Sequence, residues 1–216
     1  MADAKKKITV TSPVGRLIHE SLFKKEAFTS PGGQPGIPKY KVEMAFDPEQ
    51  VQGKGTLEDS LIEAIVSEWG PGAEDMYLDG KITVPLKDGD TMAANRVANG
   101  KGGDAYEGKI VIRADTQFNH RGDNAEGGLS VYDLGADGEA VAVDPLQHDC
   151  IYRGIYGRMS VSVGCYLDNS GRKATKFYLN AFQKTSDGDA IASGDKASAF
   201  APMAAAAGAA RTTARG

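Results

Sequence analysis

Asp149-Cys150-Ile151-Tyr152-Arg153-Gly154-Ile155-Tyr156-Gly157-Arg158-Met159-Ser160-Val161-Ser162-Val163-Gly164-Cys165-Tyr166-Leu167, then Asp168-Asn169-Ser170-Gly171, then Arg172-Lys173-Ala174-Thr175-Lys176-Phe177-Tyr178-Leu179-Asn180-Ala181-Phe182-Gln183-Lys184, is the stretch on which the fold is read. In an extended chain successive side chains point to opposite faces. Ile151, Ile155, Met159, Val161, Val163, Cys165 and Leu167 then share one face, and Tyr152, Tyr156, Arg158, Ser160, Ser162 and Tyr166 the other. Asp168 to Gly171 has the composition of a turn. Beyond it Thr175, Phe177, Leu179 and Ala181 continue the apolar face, while Lys176, Tyr178, Asn180, Phe182 and Lys184 continue the outer one. The pattern predicts a long hairpin whose outer surface mixes rings with cations.

Rings left on a solvent face need a flat cover. Single-stranded nucleic acid supplies one, because its bases stack on aromatic side chains for about 1–3 kcal/mol each while cations follow the phosphates. A helix or a second subunit lying over the same face is the other cover the pattern allows.

The remaining chain is read outward from this hairpin. With 216 residues there is room for one sizeable domain or two small ones, and 27 glycines imply long loops. The formal charge of −4 speaks against a generally basic protein and leaves room for a local basic stripe. Lys5-Lys6-Lys7 precede a short β-rich run, Ile8 to Thr11, and Pro13 separates it from Val14 to Phe23. Ser30 to Gly36 reads as a loop. Ile37 to Phe46 alternates, with Tyr40, Val42, Met44 and Phe46 inward and Lys39, Lys41 and Glu43 outward.

One helix is expected at about residues 56–69, opened by a capping box of Thr56 with Asp59 and stopped by Gly70-Pro71-Gly72. Trp69 shares its apolar stripe with Leu57, Leu61 and Ile65, which makes it a core residue ahead of a base platform. Lys81 to Val84 reads as a short strand and Leu86 to Gly108 as a long loop in which Arg96 and Lys101 could close over a bound strand. Lys109 to Phe118, Leu129 to Tyr132 and Ala140 to Val143 are further strands. From about residue 186 the chain reads as a loosely attached tail, Ala-rich at its end.

Several chemistries lack their residues. His19, His120 and His148 are scattered, and no Cys-x-x-Cys or His-Glu-x-x-His occurs, so no metal or other cofactor is expected. Gly100-Lys101-Gly102 lacks the Ser or Thr of a phosphate loop, Gly53-Lys54-Gly55 does not complete a dinucleotide fingerprint, and no Gly-x-Ser-x-Gly elbow exists. His148 and Cys150 lack an orienting partner for a thiol nucleophile. Cys150 and Cys165 read as reduced residues of one long strand, too far apart to bridge. Arg121-Gly122-Asp123 is a tripeptide common by chance. Asp115, Asp123, Glu126, Asp133 and Asp144 are the carboxylates from which a two-metal nuclease site would have to be built. No apolar run reaches the ~18 residues of a membrane span, and Met1-Ala2-Asp3 does not open a signal peptide, so a cytoplasmic protein is expected.

Tyr152 to Tyr166, Gly171, Phe177 to Lys184 and Asp187-Gly188 together resemble a family of tailed-phage single-stranded DNA-binding proteins. The N-terminal half is similar more loosely, through its early strands, Lys39-Tyr40-Lys41 and the helix ending near Trp69. The resemblance implies an OB-type barrel that coats single-stranded DNA in the cytoplasm of an infected bacterium during phage replication or recombination, without catalysis. Such coats often self-associate and meet replication or recombination proteins. The chain departs from many single-stranded DNA-binding proteins in ending on Ala, Thr and Arg instead of an acidic tail.

The expectation is therefore a mainly β protein: a partly open, OB-like antiparallel barrel over residues 1–185, with one main helix, long loops and a tail over 186–216. Lys39, Lys41, Arg158, Lys176 and Lys184 are expected to meet phosphates, and Tyr152, Tyr156, Tyr166, Tyr178 and Phe182 to meet bases. The rival readings are a phage structural protein whose aromatic face is a subunit interface, and a metal-dependent nuclease.

Overall fold

Residues 8–27, 33–117 and 129–191 are described by a computed structural model. Lys5-Lys6-Lys7, the start of the Ser30 to Gly36 loop, Phe118, His120, Arg121-Gly122-Asp123, Glu126 and the Ala-rich end of the tail lie outside the described residues. In chain order the elements are β1 (Thr9–Thr11), β2 (Gly15–Glu26), β3 (Lys39–Phe46), α1 (Pro48–Val51), α2 (Leu57–Trp69), α3 (Ala73–Leu78), β4 (Leu86–Asp88), α4 (Gly89–Ala98), β5 (Ile110–Thr116), β6 (Ser130–Leu134), β7 (Ala140–Ala142), β8 (Tyr156–Leu167) and β9 (Lys173–Ser186). The protein is mainly β, as its alternating stretches predict.

Five of the strands close into a ring. β2 pairs antiparallel with β3, and β3 with β5 in unbroken register from Tyr40 opposite Thr116 to Phe46 opposite Ile110. β5 runs parallel to β9 at Ala114 and Asp115, β9 forms the long hairpin with β8, and β8 returns to β2 at Gly157 and Tyr156. The closure is irregular. β8 leaves β2 for β1 at Ser160 to Ser162, and β9 leaves β5 for β6 at Ala181 to Gln183, so the ring is not a regular barrel. β7 pairs with β6 at one end of the sheet, and β4 pairs with β5.

The ring is filled by the inward half of each alternation: Leu17 and Leu22 from β2, Val42, Met44 and Phe46 from β3, Ile112 and Ala114 from β5, Met159 and Val161 from β8, Phe177 and Leu179 from β9. Each such aliphatic or aromatic side chain contributes about 1.5–3 kcal/mol by leaving water. α2 adds Leu57, Leu61 and Ile65 to this core, with Trp69 half-buried beside them. The ammonium of Lys173 lies 5.3 Å from the Trp69 ring centroid, so tryptophan is part of the packing. The expected capping box is not what starts α2. Thr56 turns its hydroxyl back to the carbonyls of Val51 and Gly53, and Asp59 accepts from the backbone N–H of Gly55.

Four further departures from the sequence reading have physical causes. The region read as a loop after Leu86 holds β4 and α4, because Asp88 accepts the backbone N–H groups of Asp90 and Thr91 and so caps the helix. Ala93 of α4 then packs with Ile18, Ala45, Tyr106 and Val111 as a second, smaller core on the outside of the ring. The Lys81 to Val84 segment makes only an isolated bridge, from Thr83 to Ala174, and no ladder. Residues 149–155 are turns and irregular chain and not strand, so Cys150 and Tyr152 stand outside the hairpin, and neither cysteine is in a disulfide among the described residues.

The fourth departure lies inside the hairpin. Ser160 faces Ala181 but Val161 faces Leu179, which leaves Asn180 as an extra residue, and a second irregularity lets Tyr156 face Ser186 while Gly157 faces Lys184. A one-residue bulge turns every later side chain to the opposite face. Phe182 therefore enters the core opposite Met159 and is 0 % exposed, and Lys184 follows it inward at 8 %. Both were expected on the outer surface, and neither is there.

Candidate nucleic-acid interface

The outer face of the ring brings part of the expected set together. Lys41 lies opposite Asp115 across the β3–β5 pair, and Asp115 lies beside Tyr178 across the β5–β9 pair. Both Lys39 and Lys176 reach the same Asp115 oxygen, at 3.3 and 3.0 Å. Lys41 sits 3.5 Å from Glu26, and Arg113, which the sequence reading left out, is paired with Glu43. The Lys176 ammonium stands 4.2 Å from the centroid of the Tyr178 ring. That ring lies flat against Gly164, where a Cβ would come within 2.2 Å of Tyr178 Cε2. Lys39, Lys41, Lys176 and Tyr178 thus form one cluster of cations and a ring, and Tyr166 extends it along β8.

Glycine at 164 is what lets Tyr178 rest on the strand with 38 % of its surface open. Tyr166 is 44 % exposed and Tyr156 39 %. Tyr156 and Arg158 belong to the other end of β8, roughly 30 Å from Tyr166 at about 3.3 Å per residue. Tyr156 packs its ring edge against Gly188, and Arg158 donates from Nε to Gln183 at 2.8 Å. They form a second patch and do not extend the first without a gap.

Three expected contacts are engaged within the protein. Phe182 is core. Tyr152 donates its hydroxyl to the Gly188 carbonyl at 3.0 Å and lies 3.2 Å from Asp187. Lys184 bonds Asp187 at 2.8 Å with Asp133 at 3.8 Å. Burial works against the Lys184 ammonium, but the bond to Asp187 and the charges of Asp133 and Asp187 outweigh it and raise its pKa. The same bond and charge lower the Asp187 carboxyl. Lys184, Asp187 and Tyr152 fasten the end of β9 to the turns before β8.

The carboxylates considered for metal chemistry are dispersed. Asp115 is held between two lysines, Asp133 faces Lys184, and Asp144 accepts the Leu146 N–H. Among the described residues no three His, Cys, Asp or Glu side chains come together as a metal site.

Asp115 is the acid at the centre of the cluster, and a phosphate approaching Lys39 and Lys176 meets its negative charge. Asp115→Asn is expected to tighten binding of a single-stranded oligonucleotide severalfold at low salt. Fluorescence anisotropy on the two proteins side by side measures this, and weaker binding by the variant would mean that Asp115 serves chiefly to hold the lysines in position.

A ring of strands with one parallel pair, carrying cations and open rings on its outer face, defines a mainly β protein suited to an extended polyanion. The chain belongs to the family described as the ssDNA-binding protein of Enterobacter phage Enc34, whose model matches residues 7–209. The single-stranded DNA-binding protein from bacteriophage Enc34 in complex with ssDNA is similar in fold, with a TM-score of 0.60 at 17% identity over 89% of this chain and 97% of that one. A second structure of the single-stranded DNA-binding protein from bacteriophage Enc34 gives 0.58 at 17% identity, over 92% and 96%. Bacteriophage T7 gp2.5, described as a single-stranded DNA binding protein, gives 0.53 at 13% identity, over 94% and 100%. No curated protein matches the chain. At these identities the structural likeness is one of fold.

Proposed function

We propose that this chain coats single-stranded DNA, with little sequence preference, during phage replication or recombination, and catalyses no reaction on it. The observation that carries the reading is the outward cluster of Lys39, Lys41 and Lys176 around Tyr178, continued by Tyr166. Membership of the Enc34 family and likeness to a protein solved in complex with ssDNA support it. Tyr178 and Tyr166 take bases, and the three lysines take phosphates. Tyr156 and Arg158 form a second contact that a longer strand reaches.

The strand order β2-β3-β5-β9-β8, closed by β8 on β2 and with β5 parallel to β9, supports an OB-type description of the ring. We take residues up to about 185 as the binding domain and 186–216 as an appendage whose first residues are held by Tyr152 and Arg16. The place of action is the cytoplasm of the infected host. No helix among the described residues is long and apolar enough to cross a membrane. Self-association along the strand is part of the reading, supported by the edge strand β7, whose three residues are all exposed.

Affinity that comes from counterion release falls linearly in log–log form with salt. Three lysines on three phosphates give an expected slope of about −2 for labelled oligo(dT), at about −0.7 per phosphate. Anisotropy at a series of salt concentrations, with sedimentation of the same samples, measures it. A stable oligomer that ignores the oligonucleotide would replace this reading with that of a subunit interface.

A further inference from the structure

Across the outer face from the Tyr178 cluster, past Lys41 and the Glu43–Arg113 pair, lies a groove of about 430 Å³. One wall is β2 with Arg16 and His19, the opposite wall is α4 with Arg96 and the turn holding Tyr106, and the end is closed by Arg153 and Ile191. We infer that this groove is a nucleotide subsite on the path of the bound strand, taking one phosphate on Arg16 and Arg153 and stacking one base on Arg96. The inference rests on the reading of the protein as a single-stranded DNA coat and extends that reading to residues no comparison assigns.

Charge is the first argument. Each cation of the Tyr178 cluster already has a carboxylate, whereas none of the three guanidiniums of the groove is ion-paired among the described residues. Arg16 donates from Nη2 to the Asp189 carbonyl at 2.9 Å, and Arg96 from Nε to the Gly102 carbonyl at 2.8 Å. The Arg153 side chain makes no hydrogen bond among the described residues. Glu43, the acid on the groove floor, is taken by Arg113, and Asp104 stands exposed at the rim. Guanidinium groups accept phosphate through paired N–H donors, which makes arginine the residue suited to such a site.

Arg16 is also poorly satisfied where it stands. Its Nε and the Nε2 of His19 are both shut off from solvent and without a hydrogen-bond partner among the described residues. His19 Nε2 lies 3.4 Å from Glu26, outside hydrogen-bond alignment. An unmade bond to a buried donor is costly, so Arg16 loses little by turning from a single carbonyl to a phosphate. The base has its own surface. The Arg96 guanidinium carbon lies 4.8 Å from the Tyr106 ring centroid, and bases stack on guanidinium planes as on rings. The volume is within the range of small-ligand pockets.

The groove and the cluster share one face without an intervening sheet edge. Along β3, Glu43 pairs with His19 and Arg113, and Lys41, two residues on, pairs with Ser21 and Asp115. An extended strand leaving Tyr178 over Asp115 and Lys41 reaches the Arg16–Arg153 pair by following β3. Gly154 keeps that end of the groove in shape. Its φ is +114°, and a Cβ there would lie 2.1 Å from the Asp189 carbonyl oxygen that holds Arg16.

The test is anisotropy with labelled oligo(dT) on the whole chain, comparing wild type with Arg153→Glu, Asp104→Asn and a control, Lys81→Glu, whose lysine lines neither groove nor cluster. Arg153→Glu is expected to weaken binding at least about tenfold, to reduce the salt slope by about 0.7, and to leave the melting temperature near wild type. Asp104→Asn is expected to tighten binding, and Lys81→Glu to change it less than twofold. Equal effects of Arg153→Glu and Lys81→Glu would overturn the subsite, because they would mark a response to net charge alone. So would an unaltered affinity and slope in both groove variants while wild type binds. Wild type that ignores oligo(dT) removes the coating function and the subsite together.

Discussion

Phe182→Ala is expected to destabilise the protein by about 3–5 kcal/mol, the usual cost of emptying a large buried aromatic site. The ring is fully enclosed, faces Met159 across the hairpin, and fills the space beneath Gly157, where a Cβ would come within 2.6 Å of Phe182 Cζ. Against a typical total of about 5–15 kcal/mol this is a large share, so urea unfolding is the measurement. The folded fraction is expected to bind oligo(dT) as wild type does. A variant of normal stability and impaired binding would return Phe182 to the outer surface and remove the bulge at Asn180 from the account.

Tyr178→Ala should behave in the opposite way. Loss of one stacked base costs about 1–3 kcal/mol, or about 5- to 150-fold in affinity, while an open ring on a strand surface adds little to stability. Tyr178→Phe is expected to bind nearly as wild type, since the ring and not the hydroxyl does the stacking. Gly164→Val offers an independent route to the same loss. The added side chain occupies the place where the Tyr178 ring lies, and the ring, being the free end of a side chain, moves off without breaking the ladder. Affinity should fall in both variants with the melting temperature close to wild type. Unchanged affinity in both would show that the strand runs elsewhere on the ring.

The contrast between these two residues marks how far period-two reading carries. Alternation placed the faces of β3, β5, the Met159 to Val161 part of β8 and most of β9 correctly because each has one face in the core and one outside, and Tyr178 and Lys176 stand outward as it predicts. It also extends β8 back over residues 149–155, which are not strand, and turns Leu167 inward where it is 61 % exposed. It failed at Asn180, where no glycine or proline announces the extra residue, and so misassigned Phe182 and Lys184. The signal for α4 is Asp88 at its N-cap, in a stretch whose Gly, Asn, Asp and Ala content reads as loop. Tyr152 illustrates a different limit, since its partners Asp187 and Gly188 come from the far end of β9 and only the folded chain puts them within reach.

The groove was invisible for the same reason. Arg16, Arg96 and Arg153 are each separated by more than fifty residues, and nothing local distinguishes them from solvated arginines. Arg96 stands in a stretch that reads as a loop able to close over a strand; its place over Tyr106 and its two companions depend on α4 folding back on the outside of β2 and β5.

Because Lys39, Lys41, Arg113 and Lys176 all rest on carboxylates before any ligand arrives, a phosphate that lands on one of them displaces an anion and is displaced by it again. No ammonium is left bare at any stage of the swap. Release can then proceed one contact at a time, through a series of low steps instead of one high one.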